Sequence, residues 1–396
     1  MIDRTKTYAF HSHRIKSGDV FICLPGGESY IQDALEKGAT DVLHLNRKQF
    51  AEAANDYFEH VTKKCTLIGI TGTNGKTSVA YFTKQLLDQL HCSALMIGTL
   101  NSSLTTPESW DTLERIKDHV DSGGSHVVME VSSHGIDQCR VWGMDFDIKC
   151  LTNITQDHLD YHGSVEAYRA AKMTFMESYS GLSIFPDDVI LLDYNDIPNL
   201  KGECHRKNVS MAVAICCKLG LPLIDILPIL PNIQPPQGRF EGIQMNQPYQ
   251  VIVDFAHTPD ALENVLNSIN KIRTGNEMLI TVIGCGGGRD VDKRPKMGRI
   301  ATQMSDKVIF TSDNPRAEDP QLIIDQMEQG VGPEDFKKFL SIPDRKQAIK
   351  AACQMAHPND IILVAGKGHE TYQEIQGVKI DFDDLKELKS NLKISD

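Results

Sequence analysis

The sequence predicts an α/β protein of three domains whose middle domain is a phosphate-loop, parallel-sheet ATPase unit, and three observations carry that expectation. The chain has 396 residues, more than a single hydrophobic core usually serves. Apolar runs of strand length alternate with segments of helical periodicity, the pattern of a parallel sheet covered by helices. Between Cys65 and Leu90 the run CTLIGI leads into the glycine-rich turn TGTNGKTS, which opens the periodic segment VAYFTKQLLDQL. A strand, a phosphate loop and a helix are expected there.

The residue types in that turn suit a phosphate chain. Gly72 and Gly75 let the backbone of Thr73, Asn74 and Ser78 pass close to phosphate oxygens, so that successive N–H groups and the helix N-terminus point at them. Lys76 adds a positive charge for the outer phosphates, and the Thr77 hydroxyl is placed to ligate a bridging magnesium ion. The strict pattern wants glycine where Ile70 stands, with Gly69 one position further back. A bare GxxGKT also arises as an ordinary helix-capping turn, and the flanking strand and helix argue against that reading.

Composition bounds the rest. Hydrophobic residues make up 41% and charged residues 24%, ordinary for a globular chain. No run approaches the roughly 18 apolar residues of a membrane span, and MIDRTKTYAF lacks a signal-peptide core, so a cytoplasmic protein is expected. A formal net charge of -12 argues against a general nucleic-acid binder while leaving room for a local basic pocket. The ten cysteines form no CxxC pair, which suits neither a zinc site nor a disulfide framework, so reduced and mostly buried thiols are expected.

Taken in order, residues 1–62 read as a small α/β module, with the strand GDVFICLPG, the helix SYIQDALEKGAT and the strand DVLHL. HSHRIKSGD before them reads as a plain loop. Residues 63–232 alternate strand and helix. HVVMEVSSHG ends an apolar run on Glu130, a carboxylate that is costly there unless it meets a metal or another cation, or is paired structurally. Asp157, His158, Asp160 and His162 crowd the end of the next strand, where they suit a hard divalent cation or a solvated loop. EAYRAAKMTFMESY is an amphipathic helix on which nothing local distinguishes Lys172 from a surface charge. After Ser180 the chain reads as irregular until the helix VSMAVAICCKLG, and LPILPNIQPPQGR reads as an interdomain linker. Residues 233–396 form a third α/β unit whose strand ends gather Arg289, Arg316, Lys367 and Glu370 along one edge, as for a doubly charged small molecule.

These stretches together resemble the Mur ligase family, and within it the ligases that add the third residue of the peptidoglycan stem. The matching strings include GITGTNGKTS, LTTPES, MEVSSHGIDQCRV, LTNITQDHLDYHG, EAYRAAK, GRFEGI, VDFAHTPDAL, GCGGGRDVDKRPKMG, TSDNPRAED and VAGKGHETYQ, in the family's order. The resemblance implies an ATP-dependent amide ligation through an acyl phosphate. It implies ATP contacts at loop residues 72–78 with Asn208, Arg239 and Asp254, and contacts to the UDP-sugar-peptide at Ser12, Thr105, Thr106, Ser132, Gln138 and Arg140. It further implies magnesium ligands at Thr77, Glu130 and His158, and carbamylation of Lys172, which would turn a cation into an oxygen ligand. Lys76, Glu130, His158 and Lys172 are then the catalytic set, and a monomer acting on small molecules is expected.

The incoming amino acid is expected to meet Arg289, Asp313, Asn314, Arg316, Gly366 and Glu370. Arg316 offers a fork for a carboxylate and Glu370 a partner for an ammonium, and meso-diaminopimelate presents both charges. Two departures from the family pattern motivate an alternative acceptor. The module 1–62 lacks a DGH-like string after LPGG, and only about thirty residues separate Lys172 from Gly202. His205 also stands where asparagine is typical of the family. A non-catalytic nucleotide-binding partner is the remaining alternative.

Overall fold

The computed structural model describes residues 2–392; Met1 and 393–396, which the expected domains include, lie outside the described residues. Its sheets succeed one another along the chain. Strands β1 (Tyr8–Ala9), β2 (Val20–Cys23) and β3 (Asp41–His44) form a small parallel sheet in that order. Strands β4 (Thr66–Thr71), β5 (Ala94–Ile97), β6 (His126–Glu130), β7 (Ile148–Leu151) and β8 (Leu182–Ile184) form a parallel sheet of order β5-β6-β4-β7-β8. Strands β9 (Glu241–Ile243), β10 (Gln250–Asp254), β11 (Leu279–Ile283), β12 (Lys307–Phe310), β13 (Phe339–Ser341) and β14 (Ile361–Ala365) form the third, of order β13-β12-β11-β14-β10-β9, with β9 the antiparallel edge. A hairpin of β15 (Tyr372–Ile375) and β16 (Val378–Asp381) follows.

This layout fixes where ligands go. Strand β4 lies between β6 and β7, so the chain order reverses beside it, and the crevice at such a switch point is where open α/β sheets bind ligands. Leu67, Ile68 and Ile70 of β4 are fully buried, as a strand covered on both faces requires. Gly69 is demanded by packing, because a Cβ there would lie 2.6 Å from the rings of Phe146 and Phe175. The helix Lys76–Gln89 buries Val79, Phe82 and Leu86 and packs against the helix Glu203–Lys218.

Three expectations are corrected. The helix read from Val209 begins at Glu203, with an acid in the first turn where the helix dipole favours one; His205 and Asn208 therefore ride on it. The segment read as irregular after Ser180 contains β8 and two short 3-10 turns. The proline-rich linker is bound into the middle unit for most of its length: Leu230 and Ile233 are core residues, and Gln234 exchanges hydrogen bonds of 2.8 and 3.1 Å with Gln85. Only 235–238 remain as the joint.

None of the ten cysteines is in a disulfide, but only Cys23, Cys150, Cys216, Cys285 and Cys353 are buried, so "mostly" overstates their burial. Among the described residues no helix is long and apolar enough to cross a membrane.

The third unit is tied off by a buried ion pair. Arg345 donates from Nε and Nη2 to the two carboxylate oxygens of Asp384, both at 2.7 Å, and from Nη2 to the Ala365 carbonyl at 3.0 Å; neither charged side chain is exposed. Replacing Arg345 alone by methionine strands a buried carboxylate, and a loss of about 3–5 kcal/mol is expected. Urea unfolding checks this, and Arg345→Met with Asp384→Leu is expected to recover much of the loss. A double variant as unstable as the single one would refute this account.

Candidate active site

The phosphate loop is shaped by what lies behind it. Gly72 has φ +143°, and a Cβ there would fall 1.9 Å from Thr152 Oγ1, so only glycine fits this approach to β7. The Thr73 and Asn74 N–H groups donate to Asn153 O and Asn153 Oδ1, both at 2.9 Å. Tyr168 donates its hydroxyl proton to Thr73 Oγ1 at 3.0 Å. Asn208 abuts the loop at Gly75, where a Cβ would meet its Oδ1 at 2.6 Å.

Two lysines converge on one oxygen. Lys76 Nζ donates to Gly72 O and Thr73 O, both at 2.9 Å, and Lys172 Nζ donates to the same Gly72 O at 2.8 Å. The surface reading of Lys172 is thereby overturned: the residue is 1% exposed, and its nitrogen sits 4.6 Å from the Tyr168 ring centroid. Burial, and then the Lys76 charge, hold its amine well below the usual lysine range. Sequence periodicity missed it because an amphipathic helix admits a long polar side chain at the edge of its apolar stripe.

Glu130 is fully buried. Its Oε2 accepts from Thr77 Oγ1 at 2.9 Å and its Oε1 from the Thr99 N–H at 2.8 Å, while Thr77 Oγ1 accepts from Arg239 Nη2 at 3.2 Å. His158, at φ +53°, packs edge-on to His134, 4.8 Å between centroids, and lies 3.4 Å from Asp157 Oδ2. His162 packs on the same His134 ring at 5.6 Å and on Tyr168 at 5.4 Å between centroids. The reading of 157–162 as one cation cluster is corrected by the placement of the side chains: among the described residues no three His, Cys, Asp or Glu side chains gather as a metal-holding group.

A cavity of about 1170 Å³ joins loop residues 73–78, Glu130, His158, Asn208, Arg239 and Asp254 to Arg289, Asp313, Asn314, Arg316, Gly366 and Glu370. Gly72 and Lys172 do not line it. At the far end Glu370 Oε2 accepts from Asn314 Nδ2 at 2.8 Å and from Lys367 Nζ at 2.9 Å. Lys367 is fully buried, so it serves as an internal counter-ion and not as part of the open edge. Arg316, at φ +53°, donates from Nη1 to Gly287 O at 2.7 Å and lies 3.5 Å from Glu374.

A second group stands beside the cavity. Arg140 donates to Thr106 O at 2.9 Å and Gln138 Oε1 at 2.7 Å, and pairs with Glu108 at 3.2 Å. Thr106 Oγ1 lies 3.0 Å from Ser132 Oγ, and Thr105 Oγ1, which does line the cavity, lies 3.2 Å from Thr99 Oγ1. Ser12 is buried in the first module and shares no hydrogen bond with this group.

Contacts across the joint were not anticipated. Asp260 Oδ2 accepts from Asn74 Nδ2 at 2.6 Å and from Thr155 Oγ1 at 3.3 Å, and Lys296 donates to Gln156 at 3.1 Å. Asp260 and Thr155 lie inside two quoted strings, VDFAHTPDAL and LTNITQDHLDYHG, where only their flanking residues stood out.

The fold and site define a class: an ATP-dependent ligase with a phosphate loop in its middle unit and charged groups facing it from the C-terminal unit. Residues 70–214 match the profile described as Mur ligase middle domain, and 238–368 that described as Mur ligase, glutamate ligase domain. The chain is 39% identical to the UDP-N-acetylmuramoyl-L-alanyl-D-glutamate–2,6-diaminopimelate ligase of Bacteroides fragilis over 96% of this chain and 93% of that one. Identity to the ligase of the same description from Geobacillus kaustophilus is 34%, over 96% and 94%. A solved structure of a ligase so described superposes with TM-score 0.62 at 28% identity, covering 98% and 94%. The MurF ligase of Thermotoga maritima in complex with ADP shares the fold, with TM-score 0.66 at 17% identity over 92% and 95%. The chain belongs to the Mur ligase family. The alignment to the Bacteroides fragilis protein runs over 450 positions against this chain's 396 residues, so that relative carries segments this chain lacks.

Burial holds His205, His257 and His369 at about 4, neutral in the fold. Once unfolded they protonate near 6.5, so the stability they confer is complete above pH 6.5 and is lost as pH falls toward 4. Asp254, raised by burial from 3.8 to about 6, acts in the opposite sense: its contribution is present below pH 3.8 and lost as pH rises through 6. Three groups against one predict a melting temperature that drops steadily below pH 6.5, and scans from pH 8 to 4 check it. A flat or rising profile there would contradict it.

Proposed function

We propose that the chain joins meso-diaminopimelate to UDP-N-acetylmuramoyl-L-alanyl-D-glutamate, with ATP activating the acceptor carboxylate as an acyl phosphate. The observation that carries this reading is one continuous cavity with phosphate-binding groups at one end and, at the other, the Arg316 guanidinium and the Glu370 carboxylate. Those opposite charges in DNPR and GKGHE suit an amino acid ending in both a carboxylate and an ammonium. The described relatives act on that substrate by name, which supports carrying it here. Lysine would leave Arg316 without its second carboxylate.

Within this reading Lys76 and Arg239 hold ATP phosphates, the 105–106, 132 and 138–140 group with Ser12 holds the muramoyl nucleotide, and 1–62, 63–232 and 233–396 are its three domains. Thr77 and Glu130, a hydroxyl and a carboxylate 2.9 Å apart beside the loop, fit a hard cation such as magnesium. His158 and Lys172 as its carbamate complete the proposed ligand set. Magnesium, when bound, would neutralise phosphate charge; the chain's own groups orient ATP and exclude water. Burial and the Lys76 charge shift Lys172 toward the neutral amine, the form able to add carbon dioxide, and the carbamate would replace repulsion between two lysines with attraction. We further propose that the protein works as a monomer in the cytoplasm.

Phosphate release by the purified protein, with each substrate withheld in turn, tests the whole reading. Release is expected only with ATP, magnesium, the muramoyl dipeptide and diaminopimelate together, and faster turnover with lysine would sink the assignment. Lys172→Ala is expected to lose activity by at least about a hundredfold, in the range of a missing electrostatic group, with partial rescue by short carboxylates. Full activity in that variant would rule out the carbamate.

A further inference from the structure

Lys293 opens the helix Lys293–Met304, and it is 7% exposed while lining the cavity. Its ammonium has no hydrogen-bond acceptor and no carboxylate within ion-pair distance among the described residues, whereas the neighbouring Arg294, equally buried, is held by Glu318 and Gln326. A lysine without an anionic partner at that depth is costly.

The helix end adds to the imbalance. Asp292 at the N-cap makes no capping hydrogen bond, and the first turn contains no acid. The Asp292 N–H donates to Asp290 Oδ1 at 2.9 Å and the Arg294 N–H to Val291 O at 3.0 Å, and Pro295 has none, so the Lys293 N–H is the one left to a ligand; the helix dipole favours an anion there, and a lysine in the first turn is disfavoured unless one arrives. Two independent features, an uncapped helix of twelve residues and a buried cation without a partner, thus ask for negative charge at one spot.

That spot is identified by its neighbours. The Lys293 charge acts on Asp157 and His257. Asp157, His257 and Lys293 line the same cavity, and burial first and Lys293 second hold His257 down at about 4. Asp157 and His158 lie at the end of the segment that follows β7, whose Thr152, Asn153 and Thr155 brace the phosphate loop. Arg289, at the amino-acid end, is four residues upstream of Lys293. Lys293 therefore stands between the phosphate loop and the amino-acid end.

We infer that Lys293 and its helix N-terminus bind the phosphoryl group as it moves from ATP to the acceptor and leaves, making Lys293 a catalytic residue supplied by the C-terminal unit. This rests on the ligase reading above. In the first step an acceptor carboxylate oxygen bonds to the γ-phosphorus, the bond from that phosphorus to the β,γ-bridging oxygen breaks, and ADP leaves with the electron pair. In the second the amine nitrogen bonds to the acyl carbon, the carbon–oxygen bond to phosphate breaks, and phosphate leaves as the nitrogen gives its proton to solvent. Negative charge sits on the phosphoryl oxygens throughout, and a preorganised cation at the positive end of a helix dipole serves both steps. The Asp260 to Asn74 bond is one of the contacts that hold the C-terminal unit, and Lys293 with it, against the loop.

The test uses the full chain and its Lys293→Gln and Lys293→Arg variants, compared for melting temperature before assay. Expected for Lys293→Gln is a kcat at least about a hundredfold lower, the usual effect of removing one such donor, with KM for ATP and for the amino acid within about threefold and a partial return in Lys293→Arg. Binding of radiolabelled inorganic phosphate with ADP and magnesium, measured by equilibrium dialysis, is expected to weaken at least tenfold in Lys293→Gln. This arm needs no ligation, so it judges Lys293 even if the wild-type chain proves to use another acceptor. Unchanged phosphate binding, or a raised amino-acid KM at unaltered kcat, would overturn the inference.

Discussion

The carbonyl oxygen of Gly72 is the point on which the site is built, because two lysine nitrogens share it. Two ammonium groups on one oxygen repel each other strongly in a buried site, and the relief available is for one to give up its proton. Burial lowers both amines, and Lys172 is pressed further: Asp157 alone opposes the shift there, against the Lys76 charge, whereas both Glu130 and Asp157 support the charge on Lys76. The geometry that places Lys172 there follows from Gly72, whose missing side chain lets the loop close on Thr152. A backbone requirement of one residue thereby sets the surroundings of an amine a hundred positions away in sequence.

From that loop the order of the site spreads to the third sheet. Thr77 accepts from Arg239, Asn74 donates to Asp260, and His205 bonds the carbonyl of Arg239 at 3.0 Å. Arg239 is itself stacked 4.4 Å over the Phe255 ring, beside Asp254, which fixes the Phe240 N–H at 2.7 Å. The C-terminal unit is therefore positioned by hydrogen bonds to the glycine-rich loop itself, and only residues 235–238 of the joint remain free of the middle core. Small changes in the loop and docking of the C-terminal unit are one mechanical event.

How much of this could be read from the chain depends on the kind of constraint. The phosphate loop was legible because its chemistry demands particular backbone freedom, and Gly72, Gly75, Lys76 and Thr77 announce it locally. The strands were legible because burial on both faces leaves long apolar runs such as CTLIGI and IILVA. Lys172 was not, since its burial comes from contact with Gly72 and Tyr168 across the fold, and only the family resemblance pointed to it. Lys293 and Asp260 also escaped: a charged residue in a helix's first turn looks like surface unless its surroundings are known. The linker was misjudged for a related reason, because proline and asparagine mark an interruption of regular structure, while Leu230 and Ile233 still find a core to enter.

The shortening of the chain is best understood at the edge of the middle sheet. Where the family usually has more strands, β8 is followed by turns at Pro186–Asp188 and Tyr194–Asp196. Ile190 and Ile224 are left 90% and 77% exposed, as expected of apolar residues whose cover is missing. Yet Ile197 and Leu200 still plug the core, and Pro186, Val189 and Leu191 still form a wall of the cavity. Leu192 N–H donates to Ser210 Oγ at 3.0 Å, and Arg206 Nε to the Leu192 carbonyl at 2.6 Å, so this short wall is pinned to the helix that carries Asn208. The exposed apolar side chains thus lie on the outer surface of this segment, while its inner side chains reach the core and the cavity. A chain under pressure to bind ATP in the same place would lose its layers in that order, from the outside inward.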